Sequence, residues 1–156
     1  MKKFNKVLVV LSLVLVMLFA FAACGLKPGE GTVTIVLQPT EGDAQEYCVK
    51  TADVADYKNA WDLLKYVGEQ ENFEVKGTDG QYGIFIEQIG SLKPDTTKEF
   101  IKIMTSVEKD FQVENEYGKP EEKTYKKIKL VDSGVGIYTM TVVDGALFFF
   151  WVVAFA

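Results

Sequence analysis

Neither histidine nor arginine occurs anywhere in this chain; all 17 of its basic side chains are lysine. The first absence removes the usual general base near neutral pH, the Ser-His and Cys-His couples, and the commonest zinc ligand. The second removes the guanidinium fork that grips carboxylates, phosphates and guanine at two points, which turns the reading away from nucleotides and nucleic acids. No catalytic residue and no metal site are expected, and the chain reads as non-enzymatic. Ser133-Gly134-Val135-Gly136 lacks the base or the strand-to-helix setting that a nucleophile or phosphate loop needs. Glu114, Glu116, Glu121 and Glu122 could offer oxygens to a hard cation, but no D-x-D-x-D-G spacing accompanies them, and a solvated acidic hairpin explains them as well.

Cysteine is nearly absent too, with only Cys24 and Cys48. Cys24 ends the stretch that organises the amino terminus. Lys2, Lys3 and Lys6 precede an uncharged run of 17 residues, Val7 to Ala23, whose end forms Phe21-Ala22-Ala23-Cys24 with the cysteine. A basic start, an apolar middle and small residues before a cut are the parts of a secretion signal. The last four residues resemble a bacterial lipobox, with phenylalanine where leucine is usual, and the pattern marks Cys24 for lipid attachment. Two other readings stay open. Ala20-Phe21-Ala22 satisfies the rule for ordinary signal cleavage, and the uncharged run lies at the lower edge of the ~20 residues that span a bilayer. All three place the remainder outside the cytoplasm, and the lipobox places it on the outer face of the cytoplasmic membrane of a bacterial cell envelope. With lipid on Cys24, Cys48 is left as a small buried hydrophobe; without it, the two could pair.

The expected organisation is a signal peptide over residues 1–23, a glycine- and proline-bearing tether over 24–31, and one domain over 32–156. Without the three lysines of the signal, 14 lysines face 22 acidic residues, a net charge of −8 on the exported part. Such a charge favours solubility and disfavours polyanions.

Within the domain, Thr32 to Leu37 alternates toward a first strand that Pro39 ends, and Glu46 to Thr51 is a weaker one. Ala60, Leu63, Leu64 and Val67 fall at helical spacing, with Asn59 as N-cap and Asp62 three residues on, so one helix is predicted at about 60–72. Strands are then predicted at 73–76, 82–89, 100–107, 125–131 and 137–143, with a turn at Gly77-Thr78-Asp79-Gly80 and a charged excursion over 109–129. The apolar run Leu147 to Phe155 is about half a membrane span and reads as a strand covered on both faces. Trp61 is expected to pack, and Tyr82, Phe85 and Met104 are candidates to line a shallow apolar groove.

The order of elements, with Asn59-Ala60-Trp61-Asp62-Leu63-Leu64-Lys65, Tyr82-Gly83-Ile84-Phe85-Ile86-Glu87-Gln88-Ile89-Gly90, Gly134-Val135 and Asp144-Gly145-Ala146-Leu147-Phe148-Phe149-Phe150, resembles the β-grasp-type domain at the carboxyl end of transcobalamin and intrinsic factor. The resemblance spans 32–156 and implies an α+β fold, a mixed sheet wrapped on one helix, with one rim that covers cobalamin in the vitamin carriers. Phe100 to Val107 departs from the carriers' aromatic-rich segment. The resulting expectation is a lipid-anchored envelope domain that binds a small molecule, cobalamin-like by resemblance. The alternative is an adhesion or assembly module that meets another envelope protein through a sheet edge or through the apolar end strand.

Overall fold

The computed structural model describes residues 25–116 and 118–155. The segment read as a signal peptide, residues 1–23, and Cys24 lie outside the described residues.

Strands β1 (Thr32–Gln38) and β2 (Gln45–Lys50) form an antiparallel hairpin and lead through a short 3-10 turn into helix α1 (Ala60–Glu71). Asn59 caps that helix by accepting a 2.9 Å hydrogen bond from the Asp62 amide, the cap the sequence indicated. Asn72 closes it in the left-handed region at φ 57°. Next come β3 (Val75–Gly80) and β4 (Gly83–Ile89), then β5 (Glu99–Thr105), β6 (Glu122–Tyr125), β7 (Ile128–Asp132) and β8 (Leu147–Ala154).

Six strands make one mixed sheet in the order β2-β1-β8-β5-β7-β6, while β3 and β4 form a separate two-stranded ribbon. The apolar run is the centre of the sheet, parallel to β1 on one side and antiparallel to β5 on the other. It therefore needs apolar side chains on both faces. Phe148 and Phe150 join Val33, Ile35, Leu37 and Ile101 against Leu63, Leu64 and Val67 of α1 in the main core. Leu147 and Phe149 point the other way, into a smaller cluster with Val36, Met104 and Leu130. Burying several phenylalanines at roughly 2–3 kcal/mol each makes this strand the main apolar anchor of the fold.

Three local expectations are corrected. The turn anticipated at Gly77 to Gly80 comes later, at Gln81 and Tyr82; Gly77 sits instead in a bulged strand, where a Cβ would lie 2.9 Å from the Trp61 ring. Glycine serves close approach there rather than reversal. The strand anticipated over 137–143 is an irregular turn whose Ile137 and Met140, three residues apart, reach the main core. The apolar end strand is flanked on both edges and offers none to a partner.

The charged excursion resolves into the β6–β7 hairpin, preceded by exposed residues around Val113 to Glu116. Lys126 and Lys127 form its two-residue loop at φ 46° and 71°, positions where asparagine and glycine are the usual occupants.

Candidate functional site

One rim of the molecule gathers exposed apolar side chains on well-anchored backbone. The β3–β4 ribbon is pinned by Trp61, itself buried, and presents Tyr82 at its turn, 93% exposed, and Phe85 on β4, 39% exposed. Beside it lies the loop carrying Val135 and Tyr138, both exposed; the Cβ position of Gly136 is 3.9 Å from the Tyr82 carbonyl oxygen. Asp110 fastens this loop. Its buried carboxylate accepts a 2.6 Å hydrogen bond from the Thr141 amide, and its carbonyl accepts one of 2.9 Å from Gly134.

Continuing from Val135, the surface drops into a notch. β7 pairs with β5 only at Met104 and Thr105, after which it turns away, so Phe100 to Lys102 have no strand neighbour on that side. The opening has a volume of about 290 Å³ and is lined by Phe100, Lys102, Gln112, Asp132, Ser133 and Val135, among others. Lys102 supplies its polar element. Burial works to lower the ammonium pKa, but Glu121 at 2.7 Å and Asp132 at 2.9 Å outweigh it, and the net direction is upward. The Asp132 contact is an ion pair rather than a well-directed hydrogen bond, and the ammonium also lies 5.3 Å from the Trp151 ring.

Of the three residues singled out for a groove, Tyr82 and Phe85 belong to this rim. Met104 does not: it is fully buried in the smaller cluster on the other face of the sheet and lines no surface. Alternation along β5 assigns it to the face opposite Ile101 and Ile103, and the sequence could not show that the β6–β7 hairpin closes over that face. Lys102, Gln112 and Val135 were missed, because nothing local marks residues that meet only through the departure of β7.

A second depression, of about 540 Å³, runs between β2, the end of α1 and the tether, touching Leu26, Tyr47, Val49, Tyr66 and Glu71. Cys48 is a free thiol on this strand. Burial pushes its pKa up, Thr34 counteracts, and Glu46 adds to the rise, so the thiol is not activated. Among the described residues, no three or more His, Cys, Asp or Glu side chains gather to hold a metal ion, and no helix is long and apolar enough to cross a membrane. Glu121 and Glu122 pair with Lys102 and Lys129.

No family model and no curated protein matches the sequence. Solved structures do. A presumed metal-binding protein from Ruminococcus gnavus superposes with a TM-score of 0.53 at 19% identity, over 81% of this chain and all of the other. Haptocorrin, solved in complex with Cbi, gives 0.50 at 9% identity, over 84% of this chain but 27% of its own length. At such identities the shared property is the fold alone, common to this chain, a bacterial protein and part of a protein of the transcobalamin family.

Proposed function

We propose that this chain is a non-enzymatic ligand-binding domain of a bacterial cell envelope, held at the outer face of the cytoplasmic membrane by a lipid on Cys24. The order β2-β1-β8-β5, with β1 parallel to the last strand and α1 on one face, supports a β-grasp reading. The observation that carries the binding role is the rim of Tyr82, Phe85, Val135 and Tyr138 beside the Lys102 notch: exposed aromatic and aliphatic groups next to an ammonium held between Glu121 and Asp132, on backbone fixed by Trp61 and Asp110. Such surfaces bind flat, amphipathic small molecules. The notch is small, so a ligand of corrinoid size would lie across the rim rather than inside it. The carrier solved with Cbi supports a corrinoid as the first ligand to try.

Titrating full-length chain in detergent with a corrinoid, and following the corrinoid spectrum and the melting temperature, tests this reading. A saturable shift that weakens in Tyr82→Ala and Phe85→Ala supports it; no shift with any corrinoid removes that ligand class. Cys24→Ala should release the chain from membranes, and unchanged retention would point to a spanning segment instead.

A further inference from the structure

Independently of the rim, we propose that β2 is a self-association edge through which two copies of this chain join their sheets about a two-fold axis at Cys48. The sheet has two end strands, and they are treated differently. β6 has four residues, carries Glu122 and Lys123, and ends in the strained Lys126-Lys127 loop, features that blunt an edge. β2 has six residues and pairs without interruption with β1 from Gln45 to Lys50; among the described residues no strand lies on its other side. It contains no proline and no bulge.

The occupant follows from the side chains. When an antiparallel strand meets its own copy about an axis normal to the sheet, residues of like parity oppose each other, because faces are preserved. Centring on Tyr47 sets Glu46 against Cys48 and Gln45 against Val49; centring on Val49 sets Cys48 against Lys50. Centring on Cys48 sets Glu46 against Lys50 twice and Tyr47 against Val49 twice, so opposite charges meet on one face and apolar side chains on the other. Lys50 is exposed and makes no ion pair among the described residues. Lys126 spans both Glu46 oxygens, 3.0 Å from Oε1 and 2.9 Å from Oε2, Tyr125 donates to Oε2 and the Cys48 thiol lies 3.7 Å from Oε1, so Lys50 of the second copy would share this carboxylate with Lys126. The depression beside Tyr47 and Val49 leaves room on the helix side for the opposing pair.

The test uses full-length chain in detergent. Sedimentation across a range of concentration should show a monomer–dimer equilibrium. Glu46→Lys and Lys50→Glu should each weaken it by about tenfold or more, since each turns two symmetric attractions into repulsions, and the double exchange should restore it. Lys50→Glu removes no side-chain hydrogen bond or ion pair among the described residues, so it stays informative if Glu46→Lys melts early. Added diamide should link the dimer, two Cys48 thiols passing two electrons and two protons to the azo bond and leaving one disulfide, since opposed residues lie within about 4.4–6.8 Å. Cys48→Ser should abolish the link. A chain that stays monomeric, a double exchange that fails to restore association, or a link that persists in Cys48→Ser would overturn the proposal. Corrinoid binding that survives in a monomeric variant separates this inference from the rim reading.

Discussion

Tyr125 Oη donates a 2.9 Å hydrogen bond to Glu46 Oε2, joining β6 and β2, the two strands at opposite ends of the six-stranded sheet. The β6–β7 hairpin thereby folds over the face that α1 leaves open. Lys123 comes 4.2 Å from the centre of the Phe149 ring, and Tyr125 packs edge-on against the same ring at 5.6 Å.

Burial first, and the Glu46 carboxylate second, push the Tyr125 phenol up to about 12 from an ordinary 10.0. Because the folded value is the higher one, the neutral phenol contributes stability that is complete below pH 10 and lost as pH rises through about 12. Alkaline melting should therefore steepen in that window, and Tyr125→Phe should flatten it while lowering stability by about 1–2 kcal/mol at neutral pH, read by denaturant titration.

Lys127 at φ 71° holds a conformation that costs a side-chain-bearing residue about 1 kcal/mol or more. Lys127→Gly should raise the unfolding free energy by about 0.5–1 kcal/mol, and Lys127→Val should lower it.

Gly77 is the point at which the β3–β4 ribbon rests on Trp61. A Cβ there would meet Ile84 at 2.8 Å and the Trp61 ring at 2.9 Å. Gly77→Ala should cost about 1–3 kcal/mol and speed amide exchange in β3 and β4 more than in β1 or β8.

Asp110→Ala would leave the Thr141 amide without its 2.6 Å acceptor. A loss of about 1–3 kcal/mol is expected, together with weaker binding at the rim because the Val135–Tyr138 loop is then tied to residue 110 only by the Gly134 bond to its carbonyl. Tyr82→Ala, at a position 93% exposed, should change stability by less than about 0.5 kcal/mol; a larger loss would show that the ring packs rather than presents itself.

Much of this architecture was legible in the chain. Ala60, Leu63, Leu64 and Val67 share a helix face because 3.6 residues complete a turn, and Asn59 starts that helix because its side chain replaces a missing carbonyl acceptor. A run such as Leu147 to Ala154, too short to span a bilayer and apolar at every position, had to be a strand covered on both faces. The lack of histidine and arginine is likewise read from the sequence alone.

Long-range geometry decided the rest. Threonine alternation over 137–143 suggested a strand, yet Asp110 captures Thr141 and draws Ile137 and Met140 into the core as a turn. Met104 looked available until a hairpin some twenty residues away closed over it, and Lys102 and Val135 line one notch only because β7 leaves β5 early. Periodicity encodes which face a side chain occupies, since that depends on the backbone alone. What covers that face, and which edge stays open, is set by contacts between residues far apart in the chain, and no local pattern carries them.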